Sequence, residues 1–241
     1  MIELRDVSFS YAESPALAHI DLTIPRGAAV ALIGPNGSGK STLLKLLNGL
    51  VFPDSGSYRF DGSEISHDRL RDRRFAKGFH QRVGLLFQNS DAQLFCTSVF
   101  DEVAFGPRQM ELGDREVEGR VGDSLRLLGI EALARRVPYH LSGGEKRKVA
   151  LASVLVLNPE VLVLDEPMNG LDPRTKHFLR DFLISLRSTG KTIVCATHDF
   201  EYVEGVFDQA AVFSMRHEIV RTGPYAEIIA DRDFLKASNI I

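Results

Sequence analysis

Cysteine is scarce in this chain of 241 residues: Cys96 and Cys195 are the only two, far apart and without a second Cys or His at ligand spacing. That excludes a disulfide framework, and both are expected to be reduced packing residues of a cytosolic protein. The seven histidines include no HxxxH or HxH pair, so a structural metal site is not expected. No run approaches the roughly 18 consecutive apolar residues that a membrane-spanning helix requires. The opening MIELRDVSFSY lacks the apolar centre of a secretory signal. The chain is therefore expected to be soluble and to reach a membrane only by docking onto something else. Repeats and low-complexity tracts are missing. So is an excess of charge: a net −3 gives no overall bias toward nucleic acid or anionic lipid.

What is present is ordinary globular material, 44% apolar and 25% charged, enough for one packed domain. IELRDVSFSY has a strand-like pattern with one break, and HIDLTIP follows as a second strand. AVALIG, RVGLLFQ, VLVLDEP and TIVCATHD read as short buried strands. GSYRFDG suggests a hairpin strand, and AAVFSMRHEIVRTG a closing hairpin. Helices are expected after GPNGSGKS, across residues 98 to 136, from GGEKRK to a stop at Pro159, from Pro173 to Gly190, at FEYVEGVF, and at the end of the chain. Strands alternating with helices point to an α/β fold with a mainly parallel sheet. The strand-rich first third and the helical stretch from about 98 to 150 look like additions to it.

GPNGSGKS, Gly34 to Ser41, fits G-x-x-x-x-G-K-[ST] and lies between a buried strand and a helix. Its glycines let backbone N–H groups turn inward beside a helix N-terminus, which suits phosphate. Lys40 can then reach the outer phosphates, and the Ser41 hydroxyl can ligate Mg²⁺. VLVLDEP ends at Asp165 and Glu166. An acid at the end of a buried strand beside such a loop suits Mg²⁺, and its neighbour suits the activation of water. These features define a nucleotide hydrolase or kinase and no more. In LSGGEKRK, Ser142, Gly143 and Gly144 precede another long helix, a second start suited to an anion or simply a serine cap. Two such starts make sense together if two copies meet, one offering the P-loop and the other this helix.

Six ordered segments, GPNGSGKST, Gln88, LSGGE, VLVLDEP, NGLD and ATHD, resemble the ATP-binding cassette (ABC) ATPases, the nucleotide-binding subunits of ABC transporters. The resemblance spans essentially the whole chain. It implies a P-loop NTPase fold: a RecA-like parallel-sheet core, an antiparallel β subdomain and an inserted helical subdomain at about 90–155, in one domain, 1–241. It also implies a head-to-tail homodimer with two ATP molecules sandwiched at the interface. Tyr11 would stack on adenine. The backbone of Asn36, Gly37, Ser38, Gly39 and Lys40 would wrap the phosphates, with Ser41 on Mg²⁺ and Thr42 on the α-phosphate. Gln88 would touch Mg²⁺ or the attacking water. Asp165 would support Mg²⁺, Glu166 would be the general base, and His198 would hold Glu166 and the γ-phosphate. Ser142 and Gly144 would reach the partner copy's ATP, and Asp172 would communicate across the dimer. On the residues alone, Tyr11 could equally pack at a strand end and His198 could be a buried core histidine. Glu145 departs from the Gln of many relatives, and Lys146, Arg147 and Lys148 are expected to offset its charge.

NSDAQLFCTSVFDEVAFGP, residues 89 to 107, resembles more narrowly the ATPases of energy-coupling factor (ECF) transporters, importers of vitamins and of cobalt or nickel ions. The resemblance is strongest to the ATPases of cobalt and nickel systems. It implies a place at the cytoplasmic face of the membrane, held by a transmembrane coupling protein and a substrate-capturing membrane subunit, with no contact to nucleic acid. The ion itself would be captured by the membrane subunit. Leu94 and Phe95 are expected to line a groove for a helix of the coupling protein, whereas Val103 and Phe105 are expected in the lobe's own core. A soluble ABC ATPase acting on DNA is the weaker reading, because no sustained heptads separate the P-loop from LSGGE. One acting on ribosomes would carry two cassettes. A vitamin importer remains the alternative within the ECF group.

Overall fold

A computed structural model describes residues 1–241. The chain begins β1 (Ile2–Tyr11), β2 (Ser14–Ile24), β3 (Ala29–Ile33), α1 (Lys40–Leu47), β4 (Ser55–Phe60) and β5 (Ser63–Glu64). It continues α2 (His67–Arg71), α3 (Arg73–Arg82), β6 (Val83–Leu86), α4 (Val99–Gln109), α5 (Asp114–Leu127) and α6 (Gly143–Leu155). The last part is β7 (Val161–Asp165), α7 (Pro173–Ser188), β8 (Thr192–Ala196), β9 (Gln209–Phe213), β10 (Ile219–Pro224), α8 (Tyr225–Ala230) and α9 (Arg232–Ala237).

The central sheet has the order β10-β9-β3-β8-β7-β6, and all its pairs are parallel except β9 with β10. Side chains alternate across each strand. Ala29, Ala31 and Ile33 pack with the layer containing α4 to α7, while Val30 and Leu32 pack with α1 and the second sheet. A strand covered on both faces must be apolar throughout, which is why AVALI and VLVL are unbroken apolar runs. The second sheet, β2-β1-β4-β5, is antiparallel. Register shifts between Leu4 and Ser10 account for the broken alternation of β1.

Several expected elements differ. FEYVEGVF forms only a three-residue 3-10 turn, Phe200–Tyr202. Gly205 at φ +78 breaks any helix there, and Val203, Val206 and Phe207 are buried as an irregular plug. The stretch 98–136 is two helices followed by a short turn, and the closing helix is split at Asp231, which caps α9. Helix α6 ends at Leu155, before Pro159, and Asn158 takes φ +53 beyond it. Helices α2 and α3 go beyond the expected elements; Phe79 is their one buried residue, with Leu70 and Phe75 packed partly against the same core. Phe105, expected in the core beside Val103, is 43% exposed, whereas Val103 is fully buried.

Four charges tie the two sheets together at the amino ends of the parallel strands. Arg26 follows β2, Asp61 turns β4 into β5, Arg82 ends α3, and Glu160 precedes β7. Arg26 reaches Asp61 at 2.8 Å and also pairs with Glu160; Arg82 reaches Glu160 at 2.6 Å and also pairs with Asp61. The Arg82 guanidinium, then Arg26, hold the Glu160 carboxyl at about 2 against an ordinary 4.5. A depressed carboxyl stabilises the fold above its unfolded pKa, and that contribution fades as the pH falls from about 4.5 toward 2. In Arg82→Ala, unfolding at pH 7 followed by circular dichroism should become easier and the acid-unfolding midpoint should move to higher pH, with the gap from wild type narrowing as the pH falls from about 4.5 toward 2. An unmoved acid midpoint would show that the network contributes nothing.

Candidate functional site

Four parallel strands deliver the site. β3 runs through the turn Gly34–Gly39 into α1, β6 leads to Gln88, β7 ends at Asp165, and β8 leads to His198. One cavity of about 460 Å³ gathers Tyr11, Asn36, Gly37, Gly39, Lys40, Ser41, Thr42, Gln88, Glu166 and His198. Ser38 is fully buried behind it. The turn depends on glycine at two points. Gly39 takes φ +107, and a Cβ there would lie 2.3 Å from the Ala16 carbonyl oxygen. A Cβ on Gly34 would lie 2.7 Å from that of Phe213.

Lys40 Nζ donates to the carbonyls of Gly34 at 2.7 Å and Pro35 at 2.8 Å. Burial draws its pKa below the ordinary lysine value, with Glu166 and Asp165 opposing the shift. Burial pushes the Asp165 carboxyl up, while the hydrogen bond from Ser41 and the charge of Lys40 pull it down. Ser41 Oγ donates to Asp165 Oδ1 at 3.1 Å, so hydroxyl and carboxylate converge beside the P-loop.

Glu166 is buried with φ +46, a left-handed conformation that costs a residue other than glycine about 1–3 kcal/mol. It is pinned by its N–H donating to the Ala196 carbonyl at 2.9 Å. Its Oε2 lies 2.8 Å from His198 Nδ1 and accepts from the His198 backbone N–H at 3.3 Å. A carboxylate held at a cavity wall and oriented by an imidazole is suited to take a proton from water.

Ser142, Gly143, Gly144 and Asp172 lie outside this cavity. Ser142 caps α6 and Asp172 caps α7, and these two helix starts adjoin: a Cβ on Gly144 would be 3.2 Å from Thr175 Oγ1. Thr175 Oγ1 donates to Asp172 at 2.6 Å and holds its carboxyl below the usual range. Glu145 Oε2 accepts from both the N–H and the Oγ–H of Ser142 at 2.8 Å. Those bonds depress the Glu145 carboxyl more than any cation does, with Arg136 and Lys148 adding less. The expected offset by the next three residues is thereby corrected. Lys146 pairs with Asp91 at 2.6 Å, Arg147 serves backbone carbonyls, and Lys148 covers the Phe178 ring at 4.1 Å.

The cavity also contains residues that sequence reasoning missed: Pro15, Ala16, Asn169 and His217. Arg147 stands outside it but is only 4% exposed, and its guanidinium donates to the carbonyls of Phe87 at 2.7 Å and Gln88 at 2.6 Å. Nothing in EKRK says which cation turns inward; the packing of α6 against β6 decides it.

A phosphate-binding turn, a hydroxyl–carboxylate pair and an imidazole-held acid at the ends of parallel strands are the site of a P-loop nucleotide hydrolase. The chain belongs to the ABC transporter family, which matches residues 17–169, and it is an ATPase of that family. It is 48% identical to the nickel import ATP-binding protein LarO of Lactiplantibacillus plantarum, over 91% of each chain. It is 42% identical to the energy-coupling factor transporter ATP-binding protein EcfA of Methanothermobacter thermautotrophicus, over 100% of this chain and 76% of that one. Among solved structures it is similar to cbiO1 of Clostridium perfringens, part of the ABC transporter complex cbiONQ. The TM-score is 0.84 at 34% identity, over 99% of this chain and 94% of that one. No helix here is long and apolar enough to cross a membrane.

Glu166→Gln keeps the shape of the side chain and removes the base. Phosphate release should fall by about 10²–10⁴-fold, while calorimetry should still detect ATP binding. Hydrolysis within twofold of wild type would remove Glu166 from the mechanism.

Proposed function

We propose that this chain is the ATPase of an ECF-type importer of nickel or cobalt ions, working as a head-to-tail homodimer at the cytoplasmic face of the membrane. The observation that carries the transport reading is an apolar hollow of about 740 Å³ just after Gln88, lined by Leu94, Phe95, Val137 and Tyr139, with Asp91 and Lys146 at its polar edge. Phe95 is 66% exposed and Tyr139 81%. Leu94 lines it while partly buried against the core. Phe105 meets Phe95 edge-on with ring centres 5.0 Å apart, which extends the apolar rim. Apolar anchors with a few charges at the margin suit an amphipathic helix of a membrane partner. Pressure on that hollow would act on α6 through Lys146, and on Gln88 through Arg147.

The homodimer is supported by the division of the site. Ser142 and Gly144 project from a helix start that the chain's own cavity does not use, and a second copy turned head-to-tail would bring its cavity to them. Mg²⁺ fits the oxygen pair of Ser41 and Asp165, with Gln88 beside them, because it takes few protein ligands and retains water and phosphate oxygens. When bound it would screen phosphate charge. Lys40 would hold the β- and γ-phosphates, Glu166 would take the proton of the attacking water, and His198 would fix Glu166 in place. The ion reading is supported by the likeness to the nickel import protein LarO, and the ECF reading by the likeness to EcfA; a vitamin cargo is the alternative within that class.

Two measurements test the proposal. Cells expressing the chain with its membrane partners should take up radiolabelled nickel or cobalt, and Glu166→Gln should abolish uptake. Uptake of neither ion would overturn the metal reading and leave the ATPase standing. Phe95→Asp should leave the ATPase activity of the isolated chain within about twofold but cut uptake by at least about tenfold. Collapse of the isolated ATPase would instead make Phe95 part of the fold.

A further inference from the structure

The turn between β9 and β10 belongs to no nucleotide motif, yet it reaches the nucleotide cavity. His217 of that turn lines the cavity with Tyr11, Pro15 and Ala16. Its place is set by the backbone: the Ala18 N–H donates to the His217 carbonyl at 2.9 Å, and the His217 N–H donates to that of Ser214 at 3.0 Å. The turn is thus stitched to β2 next to Ala16. Ala16 in turn lies between two recognition points. On one side, Ser14 and Pro15 pair with Tyr11 and Ser10 of β1. On the other, the Ala16 carbonyl presses on Gly39 of the P-loop so closely that a Cβ there would be 2.3 Å away. A nucleotide with its base on Tyr11 and its phosphates in the P-loop therefore passes its sugar over Ala16 and beside His217.

The ring is equipped for a polar contact. His217 Nδ1 is sealed from solvent and has no hydrogen-bond partner. The sealed Nδ1 leaves Nε2 as the ring nitrogen that can meet a ligand, a donor in the tautomer that carries its hydrogen there. The backbone at His217 has φ +65, a conformation that favours glycine. Glycine would relieve the backbone; histidine instead brings a ring to the cavity.

We propose that His217 is a nucleotide-recognition residue, its Nε2–H donating to a ribose hydroxyl of the bound ATP. The proposal rests on the placement of base and phosphates at Tyr11 and the P-loop given above. The test compares wild type and His217→Gly by calorimetry with ADP and with 2′,3′-dideoxy-ADP, after checking that the melting temperature of the variant is equal or higher. His217→Gly should weaken ADP binding about three- to tenfold, the worth of one hydrogen bond, and the penalty should vanish with the dideoxy nucleotide. Unchanged ADP affinity, or an equal loss with both nucleotides, would overturn it. Wild-type protein that binds no ADP at all would overturn the nucleotide placement itself, an outcome distinct from failure of the ribose contact.

Discussion

The parallel register of β6, β7, β8 and β3 is the constraint on which the rest depends. Leu86 pairs with Leu164, Leu164 with Cys195, and Leu32 with Ala196, so these strands end level at one edge. Gln88, Glu166 and His198 are distant in sequence, and the P-loop is farther still, yet the register brings them to one cavity, with Asp165 bonded to Ser41 at its back. Apolar burial on both faces of the sheet fixes that register, because a one-residue slip would turn every inward side chain to the other layer. The polar chemistry at the edge is thus located by apolar packing that takes no part in it.

Arg147 adds a second constraint. Its guanidinium is buried and draws its pKa below the ordinary arginine value through desolvation, with Asp165 opposing. A buried cation needs partners, and it finds them in the carbonyls of Phe87 and Gln88. The same helix starts at Ser142 and carries Lys146 on the edge of the apolar hollow. The Gln88 backbone, the Ser142 helix start and the hollow therefore share one element. A displacement at the hollow would be passed to the Phe87–Gln88 backbone by the two hydrogen bonds from Arg147.

The nucleotide site was legible in the sequence wherever chemistry and local structure coincide. GPNGSGKS needs only its own turn and helix, and VLVLDEP only the end of its own strand. Gln88 and His198 were legible through their order among the other motifs. His217, Asn169 and Arg147 were not, because each acquires its place from tertiary packing: a hairpin docked on β2, a turn after Glu166, a helix phase. Among the elements, FEYVEGVF had helical spacing that the conformation of Gly205 overrides. Helices α2 and α3 escaped because their sixteen-residue stretch is mostly charged and small, with Leu70, Phe75 and Phe79 its only large apolar residues. Phe105 had the composition of a core residue, but its partner is the exposed Phe95.

Glu166 and His217 share a further property: both hold left-handed backbone that glycine would adopt more easily. Seven other residues do so, Asp6 and His19 within β1 and β2 and the rest in turns or loops, and four of the seven are Asn or Asp, which tolerate it. At the cavity the side chains are not incidental to the turn, since one meets His198 and the other lines the cavity with Tyr11 and the P-loop. Backbone strain at a cavity wall persists only where surrounding contacts over-determine it. The Ala196 carbonyl supplies that constraint to Glu166, and the Ala18 N–H supplies it to His217. Both contacts come from strands of the two sheets, so the stability of the sheets is what holds these two side chains at the cavity against the preference of their own backbone.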